Sequence, residues 1–69
     1  MYKYEMIIFW SHDDNCYIVD VPELPGCMAD GKTAVEAIKN AEKVIAEWIE
    51  TAQEIGREIP QPKGRLMYA

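Results

Sequence analysis

Apolar and polar residues alternate over the first ten positions. Tyr2, Tyr4, Met6, Ile8 and Trp10 fall on one side of an extended chain, and Lys3, Glu5, Ile7 and Phe9 on the other, which is the period of a β-strand. The second side begins polar, but residues 7–10 are apolar on both. This predicts an antiparallel strand whose far end is covered twice, by a helix on one face and most simply by a second subunit on the other. Ser11-His12-Asp13-Asp14-Asn15 is polar and turn-prone. It joins the first strand to a second, residues 16–21, as a hairpin.

The next stretch, Pro22-Glu23-Leu24-Pro25-Gly26, cannot continue a ladder. Its two prolines fix φ and remove two backbone donors, and Gly26 supplies the freedom for positive φ where the chain re-enters a strand. A rigid turn follows. Leu24, between the prolines, has two places to go: back into the core as a peg, or outward as an apolar tip for a partner. A short third strand, Cys27-Met28-Ala29-Asp30, ends at Gly31.

Thr33-Ala34-Val35-Glu36 is a capping box, in which the threonine oxygen accepts from the amide three residues on and the glutamate reaches back to the threonine amide. A helix starts here. Val35 apart, Ala34, Ala37, Ile38, Ala41, Val44, Ile45, Trp48, Ile49, Ala52 and Ile55 lie within an arc of about 140°, which suits packing across one sheet. Gly56 supplies the left-handed stop. At roughly 35 Å the helix outreaches an ordinary strand, so its last turns should overhang. Trp48 faces the core with its indole nitrogen near the rim.

The other helix face carries Glu36, Lys39, Asn40, Lys43, Glu47, Glu50 and Glu54. Glu50 and Glu54 repel each other at i and i+4, near a helix end that prefers cations, at a cost of a few tenths of a kcal/mol. Such a stripe is either a solvated face or a surface for a basic partner. Arg57-Glu58-Ile59-Pro60-Gln61-Pro62 leaves the helix extended. Lys63-Gly64-Arg65-Leu66-Met67-Tyr68-Ala69 can then add a last short strand, in this sheet or on a neighbour's.

Composition narrows the function. Sixty-nine residues make one domain, 1–69, and a chain of this size buries only about 60% of its unfolded surface, so partners or self-association are expected. No apolar run reaches the roughly 20 residues that span a bilayer, and the start of the chain lacks a basic leader. The expected location is the cytoplasm. A formal net charge of −5 repels phosphate backbones, which argues against direct nucleic-acid binding and suits a basic protein partner. Cys16 and Cys27 are poorly placed to pair across the turn and are read as reduced thiols. With His12 they are too few for a metal site, and no cofactor is expected. His12, Asp13 and Asp14 come nearest to a catalytic cluster, but these residue types are what hairpin turns use to satisfy their own backbone.

The string Tyr17-Ile18-Val19-Asp20-Val21-Pro22-Glu23-Leu24-Pro25-Gly26-Cys27, then Asp30-Gly31-Lys32-Thr33 with Glu36-Ala37, Trp48-Ile49, Gly56 and Ile59-Pro60-Gln61-Pro62, resembles the HicB family of antitoxins. Lys32 departs from the acidic residue usual at that position. The resemblance implies an α+β fold of β-β-β-α-β order, a small antiparallel sheet with one long helix packed on it, described as a partial ribonuclease H fold. It further implies a non-enzymatic protein that covers the active surface of a small basic HicA-like toxin, an mRNA-cleaving ribonuclease. A homodimer or tetramer is expected. The expected contact residues are Pro22, Glu23, Leu24, Pro25 and Gly26 of the bend with Glu47, Glu50 and Glu54 of the helix. The alternatives are an orphan binding module, or a metal-dependent nuclease using Asp13, Asp14, Asp20 and Asp30, which would need carboxylates converging on two ions.

Overall fold

The computed structural model describes residues 4–61 and the backbone of residues 66–68. The expected strand start at Tyr2 and Lys3, and Pro62 with Lys63-Gly64-Arg65 of the closing segment, lie outside them. The elements are β1 (Met6–Ser11), β2 (Cys16–Asp20), β3 (Met28–Gly31), α1 (Ala34–Ile55) and β4 (Leu66–Tyr68), the β-β-β-α-β order read from the sequence. They form one four-stranded sheet of order β3-β2-β1-β4.

β1 and β2 pair antiparallel, with Ile8 opposite Val19 and Phe9 opposite Ile18, and β2 and β3 pair antiparallel, with Val19 opposite Ala29. The fourth strand, expected in this sheet or on a neighbour's, joins this sheet beside β1 and runs parallel to it, with Met6 opposite Leu66. The reason is topological: β1 and β3 run the same way, the helix carries the chain back across the sheet, and the following strand again points along β1.

Successive strand residues point to opposite faces, and burial follows that alternation. Tyr4, Met6, Ile8, Val19 and Val21 lie in the core under the helix, joined by Ala37, Ala41, Ile45 and Ile49 from α1. Tyr17 and Ala29 pack against the same core, as do Trp48 and Ile59. The Tyr4 hydroxyl donates to the Pro60 carbonyl at 2.6 Å, tying the segment after the helix to the start of the sheet. Ile7, Phe9, Ile18 and Met28 point to the other face, which nothing among the described residues covers. The second cover expected for the end of β1 is therefore not supplied from within the described chain. Trp10 is 41% exposed and meets Tyr17 edge-on, with 5.0 Å between ring centroids.

The helix begins as the capping box requires, with one change. Thr33 is extended (φ −122°, ψ 161°) and its Oγ1 accepts from the Glu36 amide at 3.1 Å. The Glu36 carboxylate, however, accepts from the amide of Lys32 at 3.4 Å rather than from that of Thr33. Two residues separate β3 from the helix, so the strand end and the first helical turns must nearly touch. Gly31 makes this contact possible: a Cβ there would press into the Ala37 backbone, within 2.8 Å of its Cα. The molecule measures 37 × 20 × 18 Å, its long axis set by a 22-residue helix of about 33 Å. The last turn overhangs as expected, with Ile55 68% exposed.

Gly31→Ala should destabilise by about 1–3 kcal/mol, the range for forcing atoms into a packed contact. Gly56→Ala, at φ 72° with open space around it, should lose no more than about 1–2 kcal/mol of backbone strain. Urea midpoints of the two variants test the order; an unchanged midpoint for Gly31→Ala would contradict the close approach.

Candidate functional site

The Pro22-Gly26 bend is two successive β-turns. The Leu24 amide donates to the Val21 carbonyl at 3.1 Å and the Cys27 amide to the Leu24 carbonyl at 3.0 Å, while the Val21 amide closes on the Cys27 carbonyl at 3.0 Å. Each proline occupies the second position of its turn, where a fixed φ is already correct. Gly26, at φ 77°, takes the third position of the second turn, which needs positive φ. Folding the chain twice over five residues drives the residue between the prolines inward. Leu24 is fully buried, so of its two readings the peg is the one found. The side chain offered as a partner contact is instead part of the core, because the turn geometry points it there.

The rest of the bend is outside. Pro22, Pro25 and Gly26 are exposed and Glu23 is half-buried. Glu23 has a structural task, accepting from the Glu5 amide at 2.8 Å and so stapling the bend to the chain entering β1. The Pro25 carbonyl accepts from Trp48 Nε1 at 3.0 Å. This bond explains the position of the indole nitrogen at the rim, and it joins the bend to the helix. Glu47, Glu50 and Glu54 are all exposed and, at i, i+3 and i+7, fall on one helical stripe. Of the expected contact residues, the structure joins the bend to the helix through Trp48, next to Glu47 in the chain, while Glu50 and Glu54 continue from Glu47 along the outer face of the helix.

Beside Trp48 is a shallow groove of about 220 Å³, walled by Val44, Trp48 and Ile55, with Glu47 and Thr51 on its lip. Arg57 reaches into it, its guanidinium 5.1 Å from the Trp48 ring centroid, within cation–π range. The groove was not legible in the sequence. Ile55 and Trp48 read as ordinary core positions, and Arg57 lies beyond the helix stop.

Charge is unevenly spread along α1. The first half balances Glu36 and Glu42 against Lys39 and Lys43, whereas the stretch from Glu47 onward carries Glu47, Glu50, Glu54 and Glu58 against Arg57. The last turn of the helix has no basic residue. The negative end of the helix dipole adds to these carboxylates, so the second half of the helix is its more acidic half.

The residues of a nuclease reading do not assemble. Ser11 Oγ donates to the Asp14 carboxylate and accepts from the Asp14 amide, both at 3.2 Å, which makes the hairpin loop a self-satisfied turn closed by Asn15 at φ 54°. Asp20 and Asp30 share the uncovered sheet face, opposite Met28 and Ile18 respectively, a diagonal placement about 7–8 Å apart. Among the described residues no three metal-ligating side chains converge. Both thiols are free. Burial pushes each one upward; the Asp20 carboxylate adds to this at Cys27, and those of Asp30 and Asp14 at Cys16. Neither is activated as a nucleophile.

These features define a helix-on-sheet α+β protein whose bend is tied to the second half of the helix through Trp48. The chain belongs to the HicB-like antitoxins of bacterial toxin–antitoxin systems, whose family model matches residues 4–67. It is 41% identical over 59 residues to a UPF0150 protein of Thermoplasma acidophilum, covering 86% of this chain and 84% of that one. A UPF0150 protein of Synechocystis is 30% identical over 60 residues, covering 87% and 82%. An uncharacterised 14.9 kDa protein of Haemophilus phage HP1 is 42% identical over 45 residues, which are 65% of this chain and 34% of the phage protein. No solved structure matches. No helix among the described residues is long and apolar enough to cross a membrane.

The thiols make a pH test of the bend. Cys27 is buried and its folded pKa lies above the ordinary 9.0. The unfolded chain therefore loses this proton first as pH rises. Stability should be insensitive to the thiol below about 9 and fall as pH climbs from there towards the folded value. Urea midpoints of wild type and Cys27→Ala, compared across that range, should diverge below pH 9 by a constant and converge above it; parallel curves throughout would refute the buried-thiol linkage.

Proposed function

We propose that this protein is the antitoxin of a toxin–antitoxin pair and acts by binding and occluding a small basic, HicA-like, mRNA-cleaving toxin. The observation that carries the reading is the family match over residues 4–67, joined to the concentration of carboxylates on the second half of α1. A nuclease must present cations to its RNA. An inhibitor that covers such a surface needs the opposite sign, and Glu47, Glu50 and Glu54 supply it in one row. Pro22, Glu23, Pro25 and Gly26 supply the rigid, pre-ordered part of the contact, since two turns and the staple to Glu5 leave little backbone entropy to lose on binding.

On this reading the protein performs no chemistry and needs no cofactor, and it acts in the cytoplasm, where the toxin meets its mRNA. The nuclease alternative has less support, because Asp20 and Asp30 share a face with Ile18 and Met28 and with no third ligand among the described residues. Self-association is the second part of the proposal. The uncovered sheet face, with Ile7, Phe9, Ile18 and Met28, is the surface a second copy would bury, as a homodimer or within a tetramer.

Co-expression with any small basic protein encoded beside it should yield a stable complex in which RNA cleavage is suppressed. The triple reversal Glu47→Lys, Glu50→Lys, Glu54→Lys should release the toxin and restore cleavage. Absence of any complex, with magnesium-dependent RNA cleavage by this protein alone, would support the nuclease instead; inactivity in both assays would leave an orphan binding module. For self-association, light scattering should report an oligomer for wild type and a monomer for Ile18→Asp, with unchanged far-UV circular dichroism. A monomeric wild type would remove this part of the proposal.

A further inference from the structure

Resting on the antitoxin reading, we infer that the exposed face of Trp48 is a seat for an arginine side chain of the basic partner, and that Arg57 is the resident cation that the partner displaces. Three observations converge on this groove. The first is rigidity: Trp48 Nε1 donates to the Pro25 carbonyl at 3.0 Å, so the ring is held by the bend and cannot turn away. A fixed, half-buried tryptophan is the kind of anchor on which interfaces concentrate their affinity.

The second is the shape of the groove. Val44, Trp48 and Ile55 form apolar walls, and Ile55 is 68% exposed. Glu47 stands at the lip. A side chain that fits must have an apolar stem, a cationic head and a flat surface to lie on the indole. Arginine has all three, and its planar fork can also engage a carboxylate. A lysine would supply the charge without the stacking plane.

The third is the present occupant. The guanidinium of Arg57 already lies 5.1 Å from the ring centroid, which demonstrates that the seat accepts this chemistry. Arg57 is held to the helix end through its backbone, its amide donating to the Ala52 carbonyl at 2.8 Å. Its side chain is exposed and can swing aside without disturbing that bond. Glu47 lines the same groove, and Glu54 and Glu58 lie within three residues of Arg57 in the chain. Displacing Arg57 therefore exchanges one cation for another on the same ring, in a field that welcomes positive charge.

An occupied seat has a consequence of definite sign, because removing the resident must strengthen binding. Titration calorimetry of the complex, with a cleavage-dead form of the small basic toxin that co-purifies with this chain as the probe, tests it. Arg57→Gln should tighten binding about three- to fivefold, the scale of an exposed cation–π contact. Lys39→Gln, the same charge change nine residues before Trp48 and about 14 Å away along the helix axis, controls for the general gain in negative field and should change affinity less than Arg57→Gln. Trp48→Leu should weaken binding at least tenfold and abolish the effect of Arg57→Gln in the double variant. Equal effects of Arg57→Gln and Lys39→Gln, or a weaker complex for Arg57→Gln, would overturn the seat while leaving the antitoxin reading intact. If wild type forms no complex with the toxin, the reading beneath it fails instead. Arg57→Gln alters an exposed side chain, so its outcome does not depend on how well Trp48→Leu folds.

Discussion

Leu24 is the constraint on which this architecture turns. A chain of 69 residues cannot assemble a large core, and this one spends one of its few fully buried large side chains on the middle of a turn. The arrangement works because the two β-turns satisfy their own backbone. The amides of Val21, Leu24 and Cys27 are all paired within the bend, so the peg enters the core without dragging unsatisfied polar groups along. With Leu24 in place, Val21 and Cys27 are fixed on either side, β2 and β3 are set in register, and the Pro25 carbonyl is aimed at Trp48. The bend is at once the corner of the sheet and the anchor of the helix.

A second constraint is the closeness of that helix to the third strand. Gly31, Ala37 and Ala41 have small or absent side chains where β3 meets α1, while Ile45 and Ile49 fill the space farther along. The helix covers one face of the sheet. The other face carries Ile7, Phe9, Ile18 and Met28 among Asp20 and Asp30. In β1 the apolar residues of this face alternate with those under the helix, so a one-residue slip of that strand would exchange the two sets without leaving either face polar, whereas a slip of β2 or β3 would carry Asp20 or Asp30 under the helix. The register of β1 is thus specified less by burial than by the hairpin loop and by the staple from Glu5 to Glu23.

What was legible in the sequence is what local chemistry dictates. Thr33, Gly56 and the two prolines act within four residues of themselves, and each does in the structure what its type allows: cap, left-handed stop, turn. Even there the capping glutamate chose the amide of Lys32 over that of Thr33, since both lie within its reach. The features that were not legible depend on contacts distant in sequence. The direction of β4 follows from the path of the whole chain. The peg and tip readings of Leu24 could be separated only by knowing what lies beneath the turn. The tether from Trp48 to Pro25 spans 23 positions, and the groove beside it is a product of that tether. The shared face of Asp20 and Asp30 required the register of two strands.

The acidic end of the helix illustrates how the fold accommodates a feature that local rules disfavour. Carboxylates in a last turn oppose the dipole at about 0.3–1 kcal/mol each, and here Glu50 and Glu54 have no basic residue in that turn to offset them. The helix nevertheless closes cleanly. The Gly56 amide reaches the Gln53 carbonyl at 3.4 Å and the Arg57 amide reaches Ala52 at 2.8 Å, the paired bonds of a Schellman stop. Because backbone donors satisfy the Ala52 and Gln53 carbonyls, these two need no side-chain cation for hydrogen bonding. Arg57, one residue past the stop, is free to lie on Trp48 instead of folding back over the helix end. The same closure that ends the helix therefore leaves Glu50 and Glu54 facing outward with no cation in the last turn, so that a backbone satisfied by its own donors and a run of outward-facing carboxylates coexist at this end of the helix.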